Sequence, residues 1–231
     1  DMNRSSWCNN SVAWTASCEA VSAVFPAWEK AFAAVAMHHI DAVQDKTLRL
    51  RMHEFVSEEI AHAAAHSAFN RRNNLKAIEE AEYKKTAIVF KCPGRKLWLG
   101  TMISIEHFAS CMSRMYLSNC KGEGRDYKLF AWHSREELGH KALAFDVWRH
   151  LGYSDKLLMR IVRQNQAYIL KAVFSHVTAR VRKSGGFRDW MGYVLWLCSV
   201  IRWVGLPMLQ IYLPGFHPNH SDDRRFIEVS A

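Results

Sequence analysis

Two Glu-x-x-His steps, their glutamates Glu59 and Glu137 standing 78 positions apart, constrain this chain more than any other feature of it. The first lies in Ser57-Glu58-Glu59-Ile60-Ala61-His62-Ala63-Ala64-Ala65-His66 and the second in Trp132-His133-Ser134-Arg135-Glu136-Glu137-Leu138-Gly139-His140-Lys141. Both runs are rich in helix formers, and three residues advance a helix by about 300°, so Glu and His leave from one face. A pair of metal ions in a four-helix bundle takes one Glu from each of two helices and a Glu-x-x-His from each of the other two. The remaining carboxylates are Glu29, in Phe25-Pro26-Ala27-Trp28-Glu29, and Glu106, in Met102-Ile103-Ser104-Ile105-Glu106-His107-Phe108. Both sit among apolar residues, where an uncompensated carboxylate is costly to bury. Glu29 and Glu59 are 30 residues apart, Glu106 and Glu137 31, so two helical hairpins would each deliver three ligands.

The donor types narrow the chemistry. Carboxylates with one imidazole per metal suit iron, or else manganese, and a set without thiolates argues against structural zinc. Four glutamates against two divalent ions leave the group about neutral, which lowers the cost of burying it. Bridging carboxylates can change denticity as metals change charge, which suits redox cycling with dioxygen; two metals can equally activate a water for hydrolysis. His66, one turn after His62, and His133, one turn before Glu137, face the same interior. Each is a third imidazole, a hydrogen-bond donor to a ligand carboxylate, or an ordinary core histidine. Glu58 and Glu136 point about 100° away from the ligands beside them. Asp146 suits an interior His or Arg better than a metal, His107 suits a neighbouring carboxylate, and His217 and His220 reach the site only if the tail folds back.

These residues resemble the ferritin-like proteins catalogued as predicted metal-dependent hydrolases. The resemblance lies in Phe25-Pro26-x-x-Glu29, Glu59-x-x-His62-x-x-x-His66, Glu106-His107-Phe108 and Trp132-His133-x-x-Glu136-Glu137-x-x-His140-Lys141-x-x-x-Phe145-Asp146-Val147, and returns in Leu213-Pro214-Gly215-Phe216-His217-Pro218. It covers most of the chain and implies a metal-dependent protein on a ferritin-like bundle. One departure is Trp28, where the family pattern has Gly before its first glutamate. The six-ligand pattern also resembles di-iron carboxylate oxidases and oxygenases.

A chain of 231 residues, 49% of them hydrophobic, is long enough for one large core, and a single helical domain is expected: a core bundle over about 24–151, accessory helices over about 154–213 and a tail over 214–231. Its net charge of +9 favours an anionic partner. The excess concentrates in 154–190, where eight basic residues from Lys156 to Arg188 face only Asp155 and Asp189. No nucleic-acid motif accompanies it, so nucleic acid is not expected. The six cysteines have no Cys-x-x-Cys pair and read as reduced thiols of a cytoplasmic protein.

Along the chain, 5–22 has loose helical spacing and predicts a short separate helix. Pro26 suits the first turn of the next, continuing to about Ala42. A second helix runs from about Asp45 to Asn70, a charged solvated connector covers 75–90, and Cys92-Pro93-Gly94 stops it. A third core helix spans about Lys96 to Ser118 and a fourth about Arg125 to Leu151. A basic helix over 154–183 ends at Gly185-Gly186. Trp190 to Leu213 is then apolar except for Ser199, Arg202 and Gln210, approaching the length of a membrane span. Arg202 and Pro207 argue against a true span, leaving a helix packed on the bundle or in a homodimer interface, or one lying at an anionic membrane surface through 154–213.

The expectation is an all-α, ferritin-like four-helix bundle with a di-metal centre and additional C-terminal helices. Its ligands are Glu29, Glu59, His62, Glu106, Glu137 and His140, with His66 and His133 beside them. The reading is a di-iron enzyme that uses dioxygen, with an external electron donor, to oxidise or oxygenate a small hydrophobic substrate. The alternatives are a two-metal hydrolase of an ester or phosphoester, and a non-enzymatic iron-binding bundle. The location expected is cytoplasmic, with peripheral attachment at a membrane as the alternative.

Overall fold

The computed structural model describes residues 6–90 and 94–227, and no strand occurs among them. The helices are α1 (Val12–His39), α2 (Lys46–Arg72), α3 (Lys76–Phe90), α4 (Arg95–Asn119), α5 (Gly124–His140), α6 (Leu143–His150), α7 (Asp155–Ser184) and α8 (Phe187–Val200). Helix α8 runs on through a π-helical turn over Ile201–Gly205 into a short α9 (Leu206–Leu209), and α10 (Arg224–Ile227) follows the tail. The chain divides into two compact units, one of Val21–Glu106 and Ala142–Asn165, the other of Asp1–Ala20, His107–Lys141 and Gln166–Ala231.

In the first unit the core is built from Met52, Phe55 and Phe69 of α2, Leu99, Met102 and Ile103 of α4, Trp148 of α6 and Leu158 of α7, all fully buried. Helices α4 and α7 meet at Gly100, where a β-carbon would stand 2.7 Å from Ile161 Cδ1. Helix α2 starts where the sequence places it, because the Asp45 side chain accepts from Leu48 N at 2.9 Å and caps the first turn. Arg51 pairs with Asp146 at 2.7 Å, so that aspartate serves an arginine, as its position on the chain suggests.

Helix α1 departs from expectation. In place of a short helix over 5–22 and a new start at Pro26, one helix runs from Val12 to His39 with Pro26 inside it. Proline has no N–H, so the Ser22 carbonyl loses its donor four residues on. Asn70 of α2 replaces it, its Nδ2 donating to Ser22 O at 2.8 Å. The same amide donates to Glu79 Oε2 at 2.9 Å and its Oδ1 accepts from Ser22 Oγ at 2.8 Å. On the other side of the break, Tyr83 Oη donates to Pro26 O at 3.0 Å. Helix α3 is therefore not the solvated connector its charge suggested: Glu79, Glu82 and Thr86 are buried and tie it to its neighbours. Trp28 donates to Glu82 at 2.9 Å, which accounts for a tryptophan ahead of Glu29. Cys92 and Pro93 of the expected stop lie outside the described residues.

In the second unit, Asn9 and Lys121 bond reciprocally at 3.1 and 2.7 Å and bring Cys8 and Cys120 into a disulfide with a Cα–Cα distance of 6.1 Å. This corrects the expectation of six reduced thiols; Cys18, Cys111 and Cys198 are free. The fourth core helix is also corrected, because α5 stops at His140 and α6 starts only at Leu143. At the break, Lys141 turns its ammonium to the Ser221 carbonyl, 2.9 Å away, and to the Asp223 carboxylate. Arg114 of α4 holds that carboxylate from the other side in a bidentate pair at 2.7 and 3.0 Å. The tail is thereby clamped to α4 and α5. Burial works to raise the Asp223 carboxyl, but the hydrogen bonds and charges of Arg114 and Lys141 outweigh it and hold its pKa below the ordinary value.

Two outcomes follow. Asn70→Leu leaves the Ser22 carbonyl and Glu79 without the amide that serves both, and should lower stability by about 2–3 kcal/mol in urea unfolding. The Asp223 clamp has a depressed carboxyl, so its contribution is complete above about pH 4 and is lost as pH falls through the folded value. Asp223→Asn should therefore be less stable than wild type by about 3 kcal/mol near neutrality, with the gap narrowing as the pH is lowered.

Candidate metal centre

The first unit carries three carboxylates and two imidazoles on three helices. Glu29 comes from α1, one turn beyond Pro26; Glu59, His62 and His66 come from α2; Glu106 comes from α4. All are buried, His62 and His66 at 0% exposure and none of the glutamates above 3%. On α2 the three-residue step does what its geometry dictates: His62 Nδ1 lies 3.5 Å from Glu59 Oε1. Glu58, the neighbour, is exposed. His66 is set by the network under Pro26. Ser22 has one hydroxyl proton and gives it to Asn70 Oδ1, so at the 2.8 Å contact between Ser22 Oγ and His66 Nδ1 the ring N–H donates. That fixes the tautomer with the lone pair on Nε2, while Phe25 packs edge-on against the ring at 5.1 Å.

The second unit carries its own Glu and His donors on α5. His140 Nδ1 lies 3.8 Å from Glu137 Oε1, the counterpart of the step on α2. His133, one turn earlier, places Nε2 2.7 Å from the same Glu137 oxygen. A carboxylate held by an imidazole has its orientation fixed, as ligand carboxylates in metal sites are. Glu136 faces elsewhere and accepts from Trp132 Nε1 at 2.8 Å. His107 turns away from any shared ligand role. Its Nε2 bonds the Pro207 carbonyl at 3.3 Å and its ring meets Phe216 at 5.3 Å, while burial first and then nearby Arg114 and Lys141 push its pKa down to about 4. His217 caps its own turn by accepting from Asn219 N at 3.2 Å.

A cluster of Glu and His side chains able to hold metal lies in the helical core. Glu59, His62, Glu137 and His140 each offer a ligand atom, and these atoms all lie within 4.8 Å of one another. Glu29, His62 and His133 form a second such group, so His62 belongs to both. Donors about 2.1 Å from one ion stand roughly 3–4 Å apart, so side chains this close could converge on one. Glu106, also buried, falls in neither group among the described residues, nor does His66. Among the described residues the donors of both groups are carboxylates and imidazoles, with no thiolate among them.

Reading the sequence missed the residues behind the ligands: Ser22, Asn70 and Glu79 on one side, Arg114, Lys141 and Asp223 on the other. Asn70 was within reach, since it continues the four-residue ladder of His62 and His66. Asp223 was not, because 109 residues separate it from Arg114.

No curated protein and no solved structure matches the chain. A family model described as a predicted metal-dependent hydrolase matches residues 1–222. That match takes in both Glu-x-x-His steps and every buried donor described above, and the chain belongs to the predicted metal-dependent hydrolase family.

Proposed function

We propose that this chain is a metal-dependent hydrolase in which two divalent ions are held by the buried Glu and His donors, with an ester or phosphoester as substrate. The observation that carries the reading is the pair of buried donor groups sharing His62. Glu59, His62, Glu137 and His140 would hold one ion, and Glu29 and His133, with His62 at the boundary, would hold the other. When bound, such a pair supplies a Lewis acid and lowers the pKa of water enough to make a nucleophile near neutral pH. The chain's own side chains do the rest. The carboxylates offset the charge of the ions, and burial keeps bulk water from competing. His133 orients Glu137, and His66, with its Nδ1 proton committed to Ser22, is fixed as an acceptor on the α2 face that carries the ligands.

The donor set favours a second reading. Carboxylates and imidazoles without sulfur also suit a di-iron oxidase or oxygenase supplied with electrons from outside and acting on a small hydrophobic substrate. The family description favours hydrolysis.

One series of measurements separates them. Protein purified without chelator should contain about two metal equivalents per chain by elemental analysis. His62→Ala should lose most of both, and His133→Phe should lose the ion held with Glu29 and loosen the other by about tenfold through Glu137, with far-UV circular dichroism unchanged. Turnover of nitrophenyl esters or phosphoesters that stops on chelation and returns with metal supports hydrolysis. Rapid dioxygen uptake under reduction without such turnover supports the second reading. Protein that neither retains nor rebinds metal refutes both.

A further inference from the structure

We infer that the outward face of α8 and α9 is a membrane-docking surface, lying flat in the interface of a lipid bilayer that carries anionic headgroups. The inference stands independently of the chemistry proposed for the metal centre.

Residues 187–212 form a helical segment long and apolar enough to cross a membrane by length and composition. Only 28% of its most apolar window is buried, against 61% for the similarly apolar segment Val12–Ala42. Its inner side is an ordinary packing stripe: Trp196, Val200, Val204, Met208 and Ile211, at steps of three and four, are all buried. Trp196 packs against Phe174 of α7 at 5.3 Å, Tyr193 bonds Thr178 at 2.8 Å, and Gly192 lies so close to the start of α1 that a β-carbon would stand 2.9 Å from Ser11 Oγ. The outer side should then be polar, and it is not. Phe187 is 83% exposed, Leu195 63%, Leu206 62% and Ile201 60%, with Met191 and Leu209 exposed between them. A soluble surface rarely carries so continuous an apolar stripe.

The charges beside the stripe select the occupant. Arg182 and Lys183, at the end of α7 immediately before Phe187, are exposed, as are Arg188 and Arg202 on the segment itself. The acidic groups nearby are engaged: Asp189 accepts from Ser184, and Asp222 pairs with Arg224 at 2.8 Å. Apolar side chains flanked by basic ones, with Trp190, Tyr193, Trp203 and Tyr212 along the same segment, is the composition of an interfacial helix on anionic lipid. A true span is excluded by the protein packed along the inner stripe. A second copy of the chain would bring the same basic groups face to face, which lipid phosphates would not.

The test is sedimentation of the full chain with phosphatidylcholine vesicles, with and without phosphatidylglycerol, at low and high salt. Binding is expected to the anionic vesicles and to weaken with salt. Leu195→Glu with Leu209→Glu should reduce it more than about tenfold. Arg182→Glu with Lys183→Glu should reduce it about fivefold or more per charge, with far-UV circular dichroism unchanged. Wild-type protein that stays in the supernatant with anionic vesicles overturns the inference, whatever the variants do. So does a dimer in light scattering that Leu195→Glu dissolves while no vesicle binding is seen.

Discussion

Everything in the candidate metal centre depends on the cost of taking carboxylates out of water. Glu29, Glu59, Glu106 and Glu137 are all within a few per cent of full burial. An ionised carboxylate there is tolerable only with compensating charge or hydrogen bonds. Some of that compensation is visible in the protein, above all His133 against Glu137. Metal ions would supply the rest, and they would do so for the whole group at once. The helices around the site are therefore arranged to satisfy an electrostatic requirement first, with apolar packing built outside it.

The same logic repeats at a distance. Glu79 and Glu82 of α3 are buried with Ser67, Asn70 and Trp28 as their donors, and Asp223 is buried between Arg114 and Lys141. None of these contacts touches the proposed metal. They fix the elements that present the ligands: α3 holds α1 and α2 in register around Pro26, and the tail holds the end of α5 one residue beyond His140. A ligand helix that stops short and a ligand helix that contains a proline are both exceptions to local preference, and each is secured by a charged or amide side chain from another element.

The all-helical class and the burial of all six expected ligands were legible in the sequence, because the three-residue Glu-His step and the apolar neighbours of Glu29 and Glu106 are local signals. The limits of α2, α3, α4 and α7 were legible for the same reason, through Asp45 as a cap and Gly185 as a stop. The errors have one cause. Pro26, the Lys141 break, the buried side of α3 and the Cys8–Cys120 bond all rest on partners between about 10 and 110 residues away, and no periodicity records such partners. Local reading assigned Pro26 its commonest position, at a helix start, whereas Asn70 makes an interior position tolerable. The Trp28 departure followed the same pattern, since its reason lies in Glu82.

The proline and the asparagine also have an evolutionary consequence. The Asn70 amide donates to the Ser22 carbonyl because Pro26 removes that carbonyl's helical donor, so the two positions form a coupled pair rather than two independent ones. A relative with an ordinary residue at position 26 would need at position 70 only what Glu79 and the Ser22 hydroxyl require. A relative that keeps the proline would need an amide donor at position 70 as well. Ancestry would thus leave its mark as co-substitution at two sites 44 residues apart, neither of which is a ligand.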